Sequence, residues 1–150
     1  MSTIEQKLKE MGYSLPDPWP SGKLERAVQV GSLIFTSGAG SLIKGKLGKD
    51  IDIDSGYRAA RECCLQLLSN LKTVIGSLDS VHRVVKLLCM VNSTPDFVDQ
   101  PSVANGCTDL LIELYGEKTG KHARSAVGMS SLPGGIAVEI EMIVEIVQQH

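Results

Sequence analysis

The segment HARSAVGMSSLPGGIAVEIEMIVEI, residues 122–146, is mostly apolar, yet Arg124 opens it and Glu139, Glu141 and Glu145 sit in its second half. It reads as two strands, 122–129 and 136–147, joined by a Pro-Gly-Gly turn. In the second strand Val138, Ile140, Met142, Val144 and Ile146 share one parity, the pattern of a strand with one face on a core. The other parity carries Glu139, Glu141, Ile143, Glu145 and Val147, and Val127 and Met129 add apolar surface to it from the first strand. A half-apolar sheet face in a small domain points to a covering subunit, so a homo-oligomer is expected.

Upstream of that pair the periods change. Val103, Leu110, Leu111 and Leu114 have helical spacing and predict a helix over 102–115, with Gly116 as its terminator. RVVKLLCMVNS, residues 83–93, predicts a strand that buries Val85, Leu87, Cys89 and Val91. A longer helix over 55–75 places Tyr57, Ala60, Cys64, Leu67, Leu68, Leu71, Val74 and Ile75 on one face, capped by Asp54 or Ser55 and ended by Gly76. AVQVGSLIFTSG, 27–38, reads as two short strands meeting near Gly31-Ser32, and the Gly/Lys stretch after it as a loop. Residues 3–11 predict a short helix whose Thr3 and Gln6 have capping-box spacing. Three prolines make 14–25 irregular, so 1–24 is a helix followed by a proline-rich arm.

The resulting order is α, β-β, α, β, α, β-β. It predicts one α+β domain over 1–150, a two-layer sandwich with a mainly antiparallel sheet and two long helices on one face.

Composition narrows the function classes. The chain has 15 basic and 17 acidic residues, a net charge of −2 and only 4% aromatics, so a nucleic-acid partner is not expected. No apolar run is long enough to span a membrane, and MSTIEQKLKEMGY is not a secretory leader, which together predict a cytoplasmic protein. Cys63, Cys64, Cys89 and Cys107 lack zinc spacing and read as reduced core thiols, so no metal is expected. There is no GxGxxG after a strand, and GKLGKD lacks the Walker pattern. His82, His122 and His150 lie far apart in sequence, without HExxH or triad-like spacing; His122 shares the parity of Arg124. Ser37 has no GxSxG elbow, so it is a candidate donor rather than a nucleophile.

Two readings of Arg124 stand side by side. It could pair with a glutamate across the hairpin, as an ordinary surface ion pair. Alternatively, its small neighbours Ala123, Ser125, Ala126 and Gly128 leave room for a ligand carboxylate on the guanidinium fork. A glutamate on a neighbouring strand could then hold or deprotonate a water, whereas Glu145 reads as a solvated strand residue.

The combination of GSLIFTSG (31–38), AARECCLQLLSNL (59–71), VVKLLCMVNSTPDF (84–97) and HARSAVGMSSLPGGIAVEIEMI (122–143) resembles the RidA/YjgF family, also called the L-PSP or UK-type family. The resemblance spans roughly residues 25–147, and the ARS…LP…VEIE pattern carries it most specifically. It implies a chorismate-mutase-like homotrimer with sites in the clefts between subunits. It also implies hydrolysis of 2-imino acids to 2-oxo acids and ammonia without any cofactor. By that likeness Arg124 would bind the substrate carboxylate and Glu139 would activate water. Ser37 and Gly38 would line the pocket, with backbone amides near Gly38 and Ala126 on the ligand and Asn105 as a further contact. The chain departs from the family in places. Leu24 stands where many members carry a tyrosine, with Tyr13, Trp19 and Lys23 nearby, and Ala39 stands where a glutamine is common. Two alternatives follow from the family: a non-catalytic trimer that binds small carboxylates, and an endoribonuclease-type translation inhibitor, which the acidic balance disfavours.

Overall fold

Helices α1 (Ile4–Glu10) and α2 (Ile53–Ile75) begin on side-chain caps, at Thr3 and Asp52. The computed structural model describes residues 3–20 and 22–147. Helix α1 (Ile4–Glu10) opens on a complete capping box: Gln6 N donates to Thr3 Oγ1 at 3.1 Å and Thr3 N donates to Gln6 Oε1 at 2.8 Å. Strands β1 (Ala27–Val30) and β2 (Leu33–Thr36) form a tight hairpin in which Gly31 has φ 61. A two-residue strand β3 (Ala39–Gly40) pairs with the last strand, a feature the sequence reading assigned to a loop.

Helix α2 (Ile53–Ile75) starts two residues earlier than predicted, because Asp52 is the cap and accepts from Ser55 N at 2.9 Å. Gly76 ends it at φ 83. A one-turn 3-10 segment then leads into β4 (Val81–Asn92). Val84 rather than Val85 is buried there, because a bulge between Val84 and Lys86 shifts the register. Helix α3 (Gln100–Gly120) begins at Asp99 and breaks its helical geometry at Gly116, where φ is 78. Strands β5 (Ala123–Met129) and β6 (Val138–Ile146) complete the chain, linked by a turn over Pro133–Gly135.

The sheet order is β1-β2-β6-β4-β5. This corrects the hairpin reading: β5 and β6 do not pair with each other, because β4 lies between them. β4–α3–β5 is a crossover unit, so β5 runs parallel to β4 along one edge. The other edge of β4 takes β6 antiparallel, which gives the nine-residue apolar strand a central position. An ion pair from Arg124 across a hairpin is therefore not available.

The helices cover one face only, as expected. Val138, Ile140, Met142 and Val144 are buried on it together with Leu87, Cys89 and Val91. α2 and α3 approach so closely at Gly106 that a Cβ there would overlap the backbone carbonyl of Tyr57. The opposite face leaves Val28, Phe35 and Val127 exposed, with a shallow depression between Phe35, Lys86, Leu88, Ser125, Glu141 and Ile143. The four cysteines are buried and free. Burial raises the Cys63 thiol well above its usual range and lifts Cys89 to about 12, as suits core packing rather than nucleophilic chemistry.

Candidate active site: an arginine clamp and a separate carboxylate corner

Arg124 projects from the edge strand β5 toward α3. Its Nη1 donates to Asn105 Oδ1 at 2.8 Å and to Thr108 Oγ1 at 3.1 Å. Asn105 and Thr108 are three residues apart and so share one face of α3. Both are neutral. Among the described residues the ion pairs are Arg58–Asp54 and Lys72–Glu5, with His82 Nε2 3.9 Å from Glu145, so none of their carboxylates pairs with Arg124. The guanidinium is thus anchored by one nitrogen while its remaining edge keeps free donors for an anion. Ala126 follows two residues along β5, half-buried and beside Cys89.

A histidine stands behind this clamp. His122 Nδ1 lies 2.6 Å from the Gly120 carbonyl, which can only accept, so Nδ1 carries the proton. Nε2 is then an acceptor for the Thr108 hydroxyl at 3.0 Å. The result is a directed chain in which Arg124 donates to Thr108 and Thr108 donates to His122. It requires neutral His122. Burial lowers the His122 pKa, the Gly120 hydrogen bond opposes that, and the nearby Arg124 charge adds to the lowering. The sequence reading noticed the shared parity of His122 and Arg124 but missed Thr108, whose spacing of three from Asn105 was the available signal.

The second group lies at the corner where β2, β3 and β6 meet. Ser37 is fixed by its backbone N–H to the Arg26 carbonyl and by its hydroxyl, which donates to the Glu25 carbonyl at 2.6 Å. That proton is committed to the scaffold, so Ser37 offers an incoming group its lone pairs rather than a donor. Glu139 packs directly on Gly38: a Cβ at Gly38 would collide with Glu139 Oε2, so this arrangement requires glycine. Glu139 pairs with Gly40 in the short β3–β6 ladder and is half-buried. Its carboxylate lines two cavities, of about 640 Å³ and about 550 Å³.

The structure thus joins Arg124 with Asn105 and Ala126, and Glu139 with Ser37 and Gly38, but it does not join the two groups within one chain. Arg124 sits beside Leu87 of β4 and Glu139 beside Met90, three residues further along and on the opposite parity, with β4 between them. Strand dimensions put their Cα atoms roughly 14 Å apart. No group of three or more metal-ligating side chains occurs among the described residues, and no helix among them is long and apolar enough to cross a membrane.

Likeness to known proteins agrees with this fold. Residues 5–143 match the family model described as "YjgF/chorismate_mutase-like, putative endoribonuclease". The chain is 39% identical over 150 residues to Protein TCP17 of Trypanosoma cruzi, covering 95% of this chain and 94% of that protein. It is 30% identical over 131 residues to a 2-iminobutanoate/2-iminopropanoate deaminase of Dermatophagoides farinae, covering 86% and 90%. Among solved structures, Atu1372 of Agrobacterium tumefaciens, a protein of unknown function, superposes with a TM-score of 0.89 at 39% identity over 96% of this chain and 92% of that one. With the sequence signature, the fold and these relatives in agreement, the chain belongs to the RidA/YjgF family.

Proposed function

We propose that this protein is a 2-imino acid deaminase working at sites shared between the subunits of a homotrimer. One observation carries the reading: a guanidinium with free donors on the edge strand and an unneutralised carboxylate on the central strand stand apart in one chain, where neither completes a site alone. A second copy that brings its Glu139 corner against the Arg124 edge would complete it. The exposed Val28, Phe35 and Val127 face supplies apolar area for such an assembly. The name of the Dermatophagoides farinae relative supports the same activity.

In this mechanism Arg124 binds the substrate carboxylate and fixes the C=N carbon near Glu139 of the adjoining subunit. Glu139 orients a water and takes one of its protons as the oxygen bonds to that carbon. The π pair of the protonated C=N moves to nitrogen and gives a neutral carbinolamine. Glu139 returns the proton to nitrogen, the C–N bond breaks with its pair leaving on ammonia, and the hydroxyl proton passes to that ammonia as the carbonyl forms. The products are a 2-oxo acid and ammonia. No redox step or organic cofactor enters this balance.

The test is a coupled assay in which a 2-imino acid is generated by an amino-acid oxidase and ammonia release is followed with and without the protein. Release well above the spontaneous rate is expected. Binding of 2-oxobutanoate without acceleration would instead leave a carboxylate-binding trimer with no turnover.

A further inference from the structure

The N-terminal arm, residues 14–20, has prolines at 16, 18 and 20 and no regular secondary structure, yet it is fastened along α2. Ser69 Oγ donates to the Pro16 carbonyl, and Gln66 Nε2 donates to the Asp17 carbonyl at 3.0 Å. Trp19 N donates to the buried Asn70 Oδ1 at 3.0 Å, and Arg26 Nε donates to the Trp19 carbonyl. Prolines reduce the entropy lost when such a segment is fixed. The arm therefore holds Trp19, the only tryptophan of the chain, in a defined place.

Trp19 is a wall common to both cavities that reach Gly38 and Glu139. The larger, of about 640 Å³, extends past Glu139 between the arm and α2 and is walled by Pro16, Leu42, Leu65, Pro133 and Ile136. Most of the polar side chains in its wall other than Glu139 have partners within the chain. Gln66 also donates to Asn70 Oδ1, and Glu62 Oε1 accepts from Ile43 N. Ser41 Oγ donates to the Ile43 carbonyl and accepts from Ala137 N and Val138 N. Apart from the Glu139 and Glu62 carboxylates, the wall left for a ligand is largely apolar. The smaller cavity instead carries Lys23, Glu25 and Arg26. A two-carbon side chain would leave most of the larger cavity to water, whereas cavities of roughly 300–1,000 Å³ suit larger ligands.

Resting on the deaminase reading above, we propose that Trp19 and the pinned arm form a side-chain subsite that selects 2-imino acids with bulky apolar tails. The carboxylates of Glu62 and Glu139 at the same cavity select against a second carboxylate on the substrate. Trp19 is then a specificity-determining residue, and the reaction that supplies its substrate is one that forms imines from branched or cyclic apolar amino acids.

The experiment titrates 2-oxo acids, the products of the reaction, into the full-length protein. It follows the single tryptophan emission, with calorimetry in parallel. At about fourfold per buried carbon, 4-methyl-2-oxopentanoate, with two more carbons, should bind roughly 15-fold tighter than 2-oxobutanoate, and 3-cyclohexyl-2-oxopropanoate tighter still. Both should shift the emission, and 2-oxoglutarate should bind weakest. By calorimetry, Trp19→Ala should weaken the two bulky acids by roughly tenfold and 2-oxobutanoate by less than about threefold, while Trp19→Phe keeps most of the preference. The subsite is refuted if bulky acids bind no tighter than 2-oxobutanoate, if Trp19→Ala keeps the preference, or if binding leaves the emission unmoved. If no 2-oxo acid of any size binds and no imine is hydrolysed, the deaminase reading falls and the subsite falls with it.

Discussion

The Arg124 edge and the Glu139 corner hold their charges in opposite ways. Arg124 is gripped through one nitrogen by Asn105 and Thr108, and Thr108 is oriented in turn by His122. Glu139 has no such retinue. Its carboxylate rests on the bare Cα of Gly38 and faces two cavities. A group that must bind an anion in one orientation benefits from a rigid hydrogen-bonded mount. A group that must accept and return a proton benefits from a solvent-filled cavity and a carboxylate not committed to a cation. The contrast suits the proposed division of labour, binding at the helix-backed edge and proton transfer at the cavity-lined corner.

Removing each charge breaks the comparison most severely. Arg124→Ala should abolish imine hydrolysis and weaken 2-oxo acid binding by about 2–5 kcal/mol, because a desolvated carboxylate loses its charged partner. The fold should survive, since the residue fills no core position. Calorimetry and circular dichroism on one preparation read both. A variant that unfolds instead would make Arg124 structural.

Glu139→Gln should lower the turnover number by roughly 10²–10⁴-fold, the scale of a lost general base, while product binding holds or tightens. Glu145→Gln is the control on the same strand parity and should be nearly silent. Equal loss at the two positions would mean the wrong base has been chosen.

Two glycines sharpen the contrast at smaller scale. Gly106→Ala places a methyl on the Tyr57 carbonyl, where only backbone can yield. It should destabilise the fold by about 1–3 kcal/mol, read by denaturant melts. Gly38→Ala meets the far end of a flexible side chain, so stability should change little while turnover drops because Glu139 is displaced. A Gly38→Ala enzyme with full activity would show that the position of Glu139 on Gly38 is incidental.

The smallest expected effect is on pH dependence. His122 has a lowered pKa in the fold, so below the ordinary value of 6.5 the unfolded chain binds the extra proton more readily than the native one. The stability contributed by neutral His122 is present above that pH and declines as pH falls through the lowered native value. His122→Gln should remove this share of the acid sensitivity. Melts of both proteins between about pH 7 and pH 5 check it; parallel curves would exclude the contribution.

Much of this was legible from residue order. The parity of Val138–Val144 placed the core face of β6 correctly, and the glycines at 76 and 116 marked the ends of helical geometry. Sheet order was not legible, because period-two patterns show which face is buried and not which strand lies alongside. The turn over Pro133–Gly135 looked like a hairpin although β4 separates the strands it connects. The register shift at Val84–Lys86 was hidden for a related reason, since a bulge needs no special residue. Arg124 and Glu139 stood out as charges among apolar neighbours. Thr108 and Trp19 did not, because their places depend on how α3 meets β5 and how the arm lies on α2.

The central claim is that each site is shared between two copies of the chain, and mixing two inactive variants tests it most directly. Arg124→Ala and Glu139→Gln proteins are each nearly inactive alone and would be co-expressed, or mixed under conditions of subunit exchange. In a randomly assembled ring each site draws its arginine from one subunit and its glutamate from the next, so about one quarter of the sites recover both groups. Hydrolysis should return to about a quarter of the wild-type rate per subunit. A mixture no more active than the separate variants, despite demonstrated subunit exchange, would contradict the shared site.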